Sequence, residues 1–480
     1  MSLLLTRRSR VETASSRNAK DSRSTLNSTH RISQWATICA LTLAQAFTSR
    51  AHAQQLTLVD RVEGVSRVWM EAHYNFAYFD QVPDLDWDSA YRETLSRVTL
   101  LDNDREYYRE LERFMANLHD GHSNVFPPPR VLESAGIAPV KIAPIDGRPV
   151  VYRVAAELAD RIPIGSVITA VNGQPTEEHV GQNVQPYICA SSPQQLHNMS
   201  LGERLITGQS GEAVHLSIRT PAGNLRTVEF TLRPREEPIA FVPEHEPTRP
   251  YDFRMLEDGI AYLRVDTFGD GAGLQAAVGG HLADFLAARG IIIDLRNNGG
   301  GDTSVAGFIA GLLTDHPLQG AAWRTREHRA AELAWSVFAK KDTERYQYAL
   351  ERGSWYREPA TMWQPNPDFH TSAPVVVLTD WRTASAAEDF LVIIDELPQV
   401  TTVGRTTFGS SGQPLYFSLP GGGTARICAK RDTYPDGRDF VGTGVVPDVE
   451  VPLSLDELTG SNDVTLERGL EHLRTQLTAP

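Results

Sequence analysis

Cysteine is nearly missing from this chain, with three in 480 residues. Cys39, Cys189 and Cys428 are too few for a disulfide framework, and their spacing matches no thiolate metal site. Basic charge is also scarce. Lys and Arg number 46 against 60 Asp and Glu, a formal net charge of −14. That balance argues against nucleic acid or an anionic membrane surface as a partner. No apolar run is long enough to stand as a permanent bilayer-spanning helix, and no internal repeat is present. The remaining composition, 41% apolar and 22% charged, is that of a globular protein. A chain of this length carries roughly three domains.

Residues 1–53 differ from the rest. Residues 1–31 are rich in Ser and Arg, a short apolar stretch runs from Trp35 to Phe47, and Ala51-His52-Ala53 has the small-x-small form that precedes signal-peptide cleavage. The expectation is an exported protein, periplasmic or secreted, cleaved before Gln54; the long basic leader suggests a true start downstream of Met1. A retained membrane tether is the less favoured alternative. Residues 1–53 hold eight of the 46 basic and two of the 60 acidic residues, so 38 and 58 remain, a formal charge near −20. Only Cys189 and Cys428 would then be left. They are enough for one disulfide, but nothing in the sequence places them together.

Residues 54–130 read as a helical region. Val62, Val65, Val68 and Trp69 share one helical face, Tyr91, Leu95 and Val98 continue the pattern, and a further helix is expected around Tyr107–Leu118. Short strands with turn signals follow over 137–235, among them Pro149–Val154, Val167–Val171 and Val214–Arg219. A Pro- and Glu-rich linker, Arg235–Pro250, leads to residues 250–455, where strands and helices alternate in the manner of an α/β layer with a largely parallel sheet. Helices are expected there near Leu274–Ala288 and Ser304–Leu313, the stretch 321–370 reads as an insertion or lid, and residues 456–480 form a C-terminal helix. The fold class is thus a multidomain α+β protein.

One junction within the α/β region carries chemistry. The β-branched run Val375-Val376-Val377-Leu378 enters a polar turn, and Ser385-Ala386-Ala387-Glu388 opens an apolar helix. A serine there has free backbone N–H groups and the positive end of the helix dipole beside it, both suited to an acyl-transfer intermediate. A second strand, Ile291–Leu295, ends in Arg296-Asn297-Asn298-Gly299-Gly300-Gly301, whose spacing excludes a P-loop. Glycines let backbone N–H groups approach a substrate, so Gly299, Gly300 and Ala386 are candidate oxyanion donors. A serine nucleophile needs a base, and His122 in Asp120-Gly121-His122-Ser123 has a suitable pKa.

Together these segments resemble the carboxyl-terminal processing (tail-specific) proteases and their relatives, the tricorn core proteases. The resemblance rests on Asp120-Gly121-His122-Ser123, Asp294-Leu295-Arg296-Asn297-Asn298-Gly299-Gly300, Ser385-Ala386-Ala387-Glu388 and Gly444-Val445-Val446-Pro447-Asp448. Weaker support comes from Ile164-Gly165-Ser166-Val167-Ile168-Thr169-Ala170-Val171-Asn172-Gly173, which is similar to a PDZ stretch although Ser166 replaces its usual Asp. The resemblance implies a PDZ-like domain over 137–235 and a crotonase-like (ββα) protease core over 250–455. It makes Ser385 the nucleophile and, in the Ser-His branch, His122 the base, with His119 as a fallback.

Two departures stand out. Ser410 occupies the place of the base lysine of the Ser-Lys type, within Gly404-Arg405-Thr406-Thr407-Phe408-Gly409-Ser410, which excludes that dyad. Val441 occupies the place of the glutamate of the tricorn-like branch. The group that orients the histidine is therefore open among Glu388, Asp439 and Asp120, and Lys430 remains as an alternative base.

The expected activity is a serine endopeptidase acting on polypeptide through an acyl-enzyme, each oxyanion donor worth roughly 3 kcal/mol. The PDZ-like part would take a substrate by its C-terminus at a sheet edge. No metal or organic cofactor is implied. A catalytically silent peptide-binding protein on the same fold and a small ester or amide hydrolase are the alternatives.

Overall fold

Three short helices begin the described part of the chain, α1 (Leu58–Asn75), α2 (Trp87–Val98) and α3 (Asp104–Ala116). Each starts on a side chain that accepts an otherwise unpaired N–H. Thr57 and Asp60 cap α1 reciprocally, Asp86 caps α2 through Ser89 and Asn103 caps α3 through Glu106. The computed structural model describes residues 55–478 apart from 245–248, 352 and 367. The expected leader and its cleavage point lie outside the described residues, which form one compact unit. Among them, no helix is long and apolar enough to cross a membrane.

After α3 come β1 (Asn124–Phe126) and an antiparallel sheet built from β2 (Val140–Ile145), β3 (Arg148–Ala155), β4 (Val167–Val171), β5 (Ala213–Arg219) and β6 (Leu225–Thr231), in that spatial order. Alternate residues of these strands, such as Val214, Leu216 and Ile218, are buried in its own apolar core. A helix, α4 (Pro193–Leu201), interrupts the strand succession.

The second large sheet runs β7 (Tyr251–Met255), β8 (Ile260–Val265), β9 (Gly290–Asp294), β12 (Val375–Thr379), β13 (Val400–Gly404), β17 (Val449–Glu450), with β7 antiparallel and the other pairs parallel. Both faces are covered, which explains the unbroken apolar runs. Val375 and Val377 of β12 pack in one core with Ala306 of α5 (Thr303–Ala310) and Phe390 of α6 (Ala386–Ile394). Val376 and Leu378 face the opposite core, closed by Leu473 of the C-terminal helix α7 (Val464–Thr478).

A two-stranded pair, Leu318–Gln319 with Met362–Trp363, and two three-stranded sheets complete the unit. One orders β1, β15 (Thr424–Cys428) and β14 (Pro414–Ser418); the other orders β11 (Ser354–Glu358), β10 (Ala322–Glu327) and β16 (Lys430–Thr433). Their apolar side chains, including Phe417, Ala425 and Ile427, share a core with Val65, Val68, Phe114 and Met115 of the N-terminal helices. Trp87 stacks on Phe114 there, centroids 4.1 Å apart. The first described helices and β1 are thereby fastened to strands formed about 300 residues later, as in the pairing of Asn124 with Arg426.

Three local expectations change. The helix expected over Leu274–Ala288 is two helices, Gly271–Gly279 and Leu282–Ala287, parted at the adjacent Gly279 and Gly280, where helical propensity is lowest. The stretch 321–370 is not simply a lid, because β10 pairs with β16 along its length. Cys189 and Cys428 form no disulfide; both are free thiols.

Candidate active site

Ser385 ends the turn between β12 and α6 with φ 55° and ψ −124°, a conformation costly for a residue with a Cβ. The surroundings hold it there. Its N–H is shared between the carbonyl of Ser410 at 3.0 Å and the Glu388 carboxylate at 3.2 Å, and the preceding N–H, of Ala384, donates to the carbonyl of Asn298 at 2.9 Å. Asp380 shapes the turn, accepting from the N–H groups of Arg382, Thr383 and Asn297. The Ser385 hydroxyl faces the Nε2 of His122 at 3.2 Å.

His122 comes from the loop between α3 and β1 and is 8% exposed. Buried Asp120 organises that loop, accepting from the hydroxyls of Ser123 at 2.5 Å and Ser191 at 3.1 Å. Ser123 in turn accepts from the N–H of Cys428 in β15. Burial, aided by the positive charges of Arg426 and Lys430, pushes the His122 pKa down to about 3. The imidazole is thus neutral near pH 7. Nδ1 faces the hydroxyl of Ser410 at 2.5 Å, so the tautomer in which Nε2 accepts from Ser385 carries its proton toward Ser410.

The group that faces Nδ1 is the Ser410 hydroxyl, and none of the three carboxylates expected from sequence contacts the ring. Asp439 is engaged by Arg431. Asp120 bonds to serines rather than to the ring. Glu388 lies one step back: its oxygens accept from Thr407 Oγ1 at 2.5 Å, Gly409 N–H at 2.7 Å, Ser410 N–H at 3.0 Å and Ser385 N–H. Burial pushes Glu388 up to about 8 against the pull of those four donors. The donors decide the hydrogen-bonded form. Thr407 Oγ1 accepts from Val445 N–H at 2.7 Å and turns its own hydroxyl proton to Glu388, so with the three backbone N–H groups four donors point at the carboxylate, the pattern that favours its ionised form against burial. Glu388 ties the turn of Ser385 to the loop of Ser410.

Ser410 escaped the sequence reading except as the residue that excluded a lysine. Its position in the glycine-rich segment was the signal. Lys430 is no base candidate, because it is paired with Asp432 at 2.9 Å and nearby carboxylates hold its pKa above the ordinary value against the effect of burial. His119 is exposed, with φ 48° and no contact to Ser385.

The three oxyanion candidates separate. Gly300 sits against the serine with φ 95°; a Cβ added there would lie 2.6 Å from Ser385 Cβ and 2.9 Å from Ala386 N. Its own N–H, however, is engaged by Asn298 Oδ1 at 2.9 Å. Gly300 thus supplies room for the turn. Ala386 N–H, at the first position of α6, and Gly299 N–H, in an exposed part of the loop, have no hydrogen-bond partner among the described residues.

Comparison with known proteins adds a family to this geometry. Residues 259–451 match the sequence model of peptidase family S41. The carboxyl-terminal-processing protease of Picosynechococcus sp. is 27% identical over 292 residues, 60% of either chain, and that of Synechocystis sp. is 28% identical over 316 residues, 64% of either chain. The chain thus spans less than two thirds of these relatives' length. Among solved structures, mature CPAF complexed with lactacystin is similar at TM-score 0.67 and 16% identity, over 88% of this chain and 99% of that one, a likeness of fold. The residues that match peptidase family S41, 259–451, include Ser385, Gly299, Gly300 and Glu388.

Proposed function

We propose that this protein is a serine endopeptidase that cleaves polypeptide through an acyl-enzyme. The observation that carries the reading is the 3.2 Å approach of His122 Nε2 to Ser385 Oγ across 263 positions of sequence. Ser385 attacks the scissile carbonyl as His122 takes its proton and later passes it to the leaving amine. Ala386 and Gly299 N–H groups face the developing oxyanion at the helix start. Ser410 accepts from Nδ1–H and holds the tautomer, while Glu388 positions Ser410 and Ser385 together. The relatives' printed name, carboxyl-terminal-processing protease, supports polypeptide as the substrate class. The 137–235 module is a PDZ-like domain that receives the substrate's C-terminus at a sheet edge, and the protein acts after export.

Hydrolysis of an unstructured polypeptide by the purified chain, followed by end-group analysis, tests the reading. No turnover on prolonged incubation, with binding retained, would favour a silent peptide binder instead. Ser410→Ala leaves Nδ1–H buried without an acceptor. Turnover is expected to fall by about 10- to 100-fold, consistent with a lost buried hydrogen bond of roughly 1–3 kcal/mol; unchanged turnover would remove Ser410 from the site. The pH dependence has a definite sign. Unfolded His122 binds a proton near 6.5 and the folded ring only near 3, so its neutral form stabilises the fold above 6.5. That contribution is lost as pH falls through the window, by at most about 1.4 kcal/mol per unit. Imidazole nitrogen shifts measured by NMR should show His122 still neutral at pH 5. Protonation near 6.5 would contradict the buried geometry.

A further inference from the structure

Strand register lines up three arginines. Arg357 of β11 stands opposite Arg324 of β10, and Arg324 stands opposite Arg431 of β16. Directly opposed residues share one face of a sheet, and like charges so placed destabilise it. Arg431 is neutralised by Asp80 and Asp439. Its neighbours are not. Arg324 and Arg357 make no ion pair among the described residues, and the buried Nε of Arg324 has no hydrogen-bond partner. The Arg324 guanidinium lies 4.3 Å over the Trp355 ring. Burial first, then the charge of Arg431, holds its pKa below the ordinary value.

Both guanidiniums border a cavity of about 400 Å³ whose wall includes Phe79, Leu85 and Trp355. The two carboxylates nearby are occupied elsewhere, Asp80 by Arg431 and Glu351 by Gln347. An unneutralised arginine pair is out of keeping with a chain of net charge −14. Repulsion of this kind persists where the partner that relieves it arrives from outside the chain.

We infer that this pocket binds a carboxylate of a polypeptide, with Arg324 and Arg357 gripping the anion and the aromatic wall receiving the adjoining apolar side chain. Guanidinium forks match the planar geometry of a carboxylate, and the apolar wall supplies the rest of the contact. The ligand class rests on the proposed peptidase reading; the charge geometry does not. A chain-terminal carboxylate and an Asp or Glu side chain present the same chemistry, and the test separates them.

The experiment is an anisotropy titration of the full chain carrying Ser385→Ala, so that nothing is turned over. Three labelled peptides of one apolar sequence are compared: free C-terminal acid, C-terminal amide, and the amide with one internal glutamate. At least one acid-bearing peptide is expected to bind about tenfold or more tighter than the plain amide, an advantage that shrinks with salt. Which one does so names the source. Arg324→Gln and Arg357→Gln should each abolish the advantage, and Arg324→Gln should keep or raise the thermal midpoint, since it relieves the opposed charges. Equal binding of all three peptides, survival of the advantage in both variants, or a midpoint lowered by several degrees in Arg324→Gln would overturn the inference. The readout requires no turnover, so an inactive but acid-selective chain would refute the peptidase reading and leave the pocket standing.

Discussion

Ser385→Ala is expected to lower peptide turnover by on the order of 10⁴- to 10⁶-fold, and His122→Ala by a similar factor. In the proposed reaction both act on one event, the transfer of the Oγ proton to Nε2, 3.2 Å away, as the carbonyl is attacked. The double variant should therefore be scarcely worse than either single one, because each already removes the whole step. Labelling by a serine-directed probe should vanish in Ser385→Ala and fall sharply in His122→Ala. The folded state should tolerate Ser385→Ala, because Ser385 is half-buried and its hydroxyl faces the ring; His122→Ala empties a buried site and costs some stability, which the melting curves separate from the loss of turnover. Initial rates on an unstructured polypeptide, with melting curves alongside, measure this. Either variant at parental turnover would strip that residue of its assigned part.

The second large effect is expected from Glu388→Gln. Both carboxylate oxygens accept two donors, one pair from Thr407 Oγ1 and Gly409 N–H and the other from Ser410 and Ser385 N–H groups. A carboxamide keeps one accepting oxygen and turns an NH₂ toward the other pair, so donors face donors in a site that is fully buried. Leaving buried polar groups unpaired costs about 1–3 kcal/mol each, which places the loss of stability at roughly 2–5 kcal/mol. Turnover should fall as well, by about 100-fold or more, because the loop that holds Ser410 against His122 and the strained turn of Ser385 share this one anchor. Glu388→Asp restores the charge with a shorter reach and should recover part of the stability. Denaturant unfolding and kcat should move together; a variant that melts normally and turns over normally would show that Glu388 positions nothing.

Much of the site was legible along the chain because its parts are local. A buried strand, a polar turn and an apolar helix announce the nucleophile junction at Ser385 through periodicity alone, and the glycines after Leu295 announce a loop that must pass close to another backbone. The parallel sheet was legible for the same reason, since strands covered on both faces have to be apolar at every position, as Gly290–Asp294 and Val375–Thr379 are. The partner of the imidazole was not legible. A search for a carboxylate suits an orienting group in general, but here a serine hydroxyl faces Nδ1 and the carboxylate stands behind it, a relation that exists only once the Ser410 loop closes over α6.

Residue types in short segments determined which chemistry the chain has at hand: a hydroxyl at a helix start, an imidazole in a polar loop, glycines at a strand end. Only the tertiary structure decided that hydroxyl and imidazole meet, that Gly300 gives room while its own N–H is engaged by Asn298, and that Lys430 is held in an ion pair. The physical reason is range. Periodicity, capping and turn preference act over a few residues, whereas the shared core of the N-terminal helices and the strands after Gly412 draws His122 to Ser385 by burying apolar surface contributed from both ends of the chain.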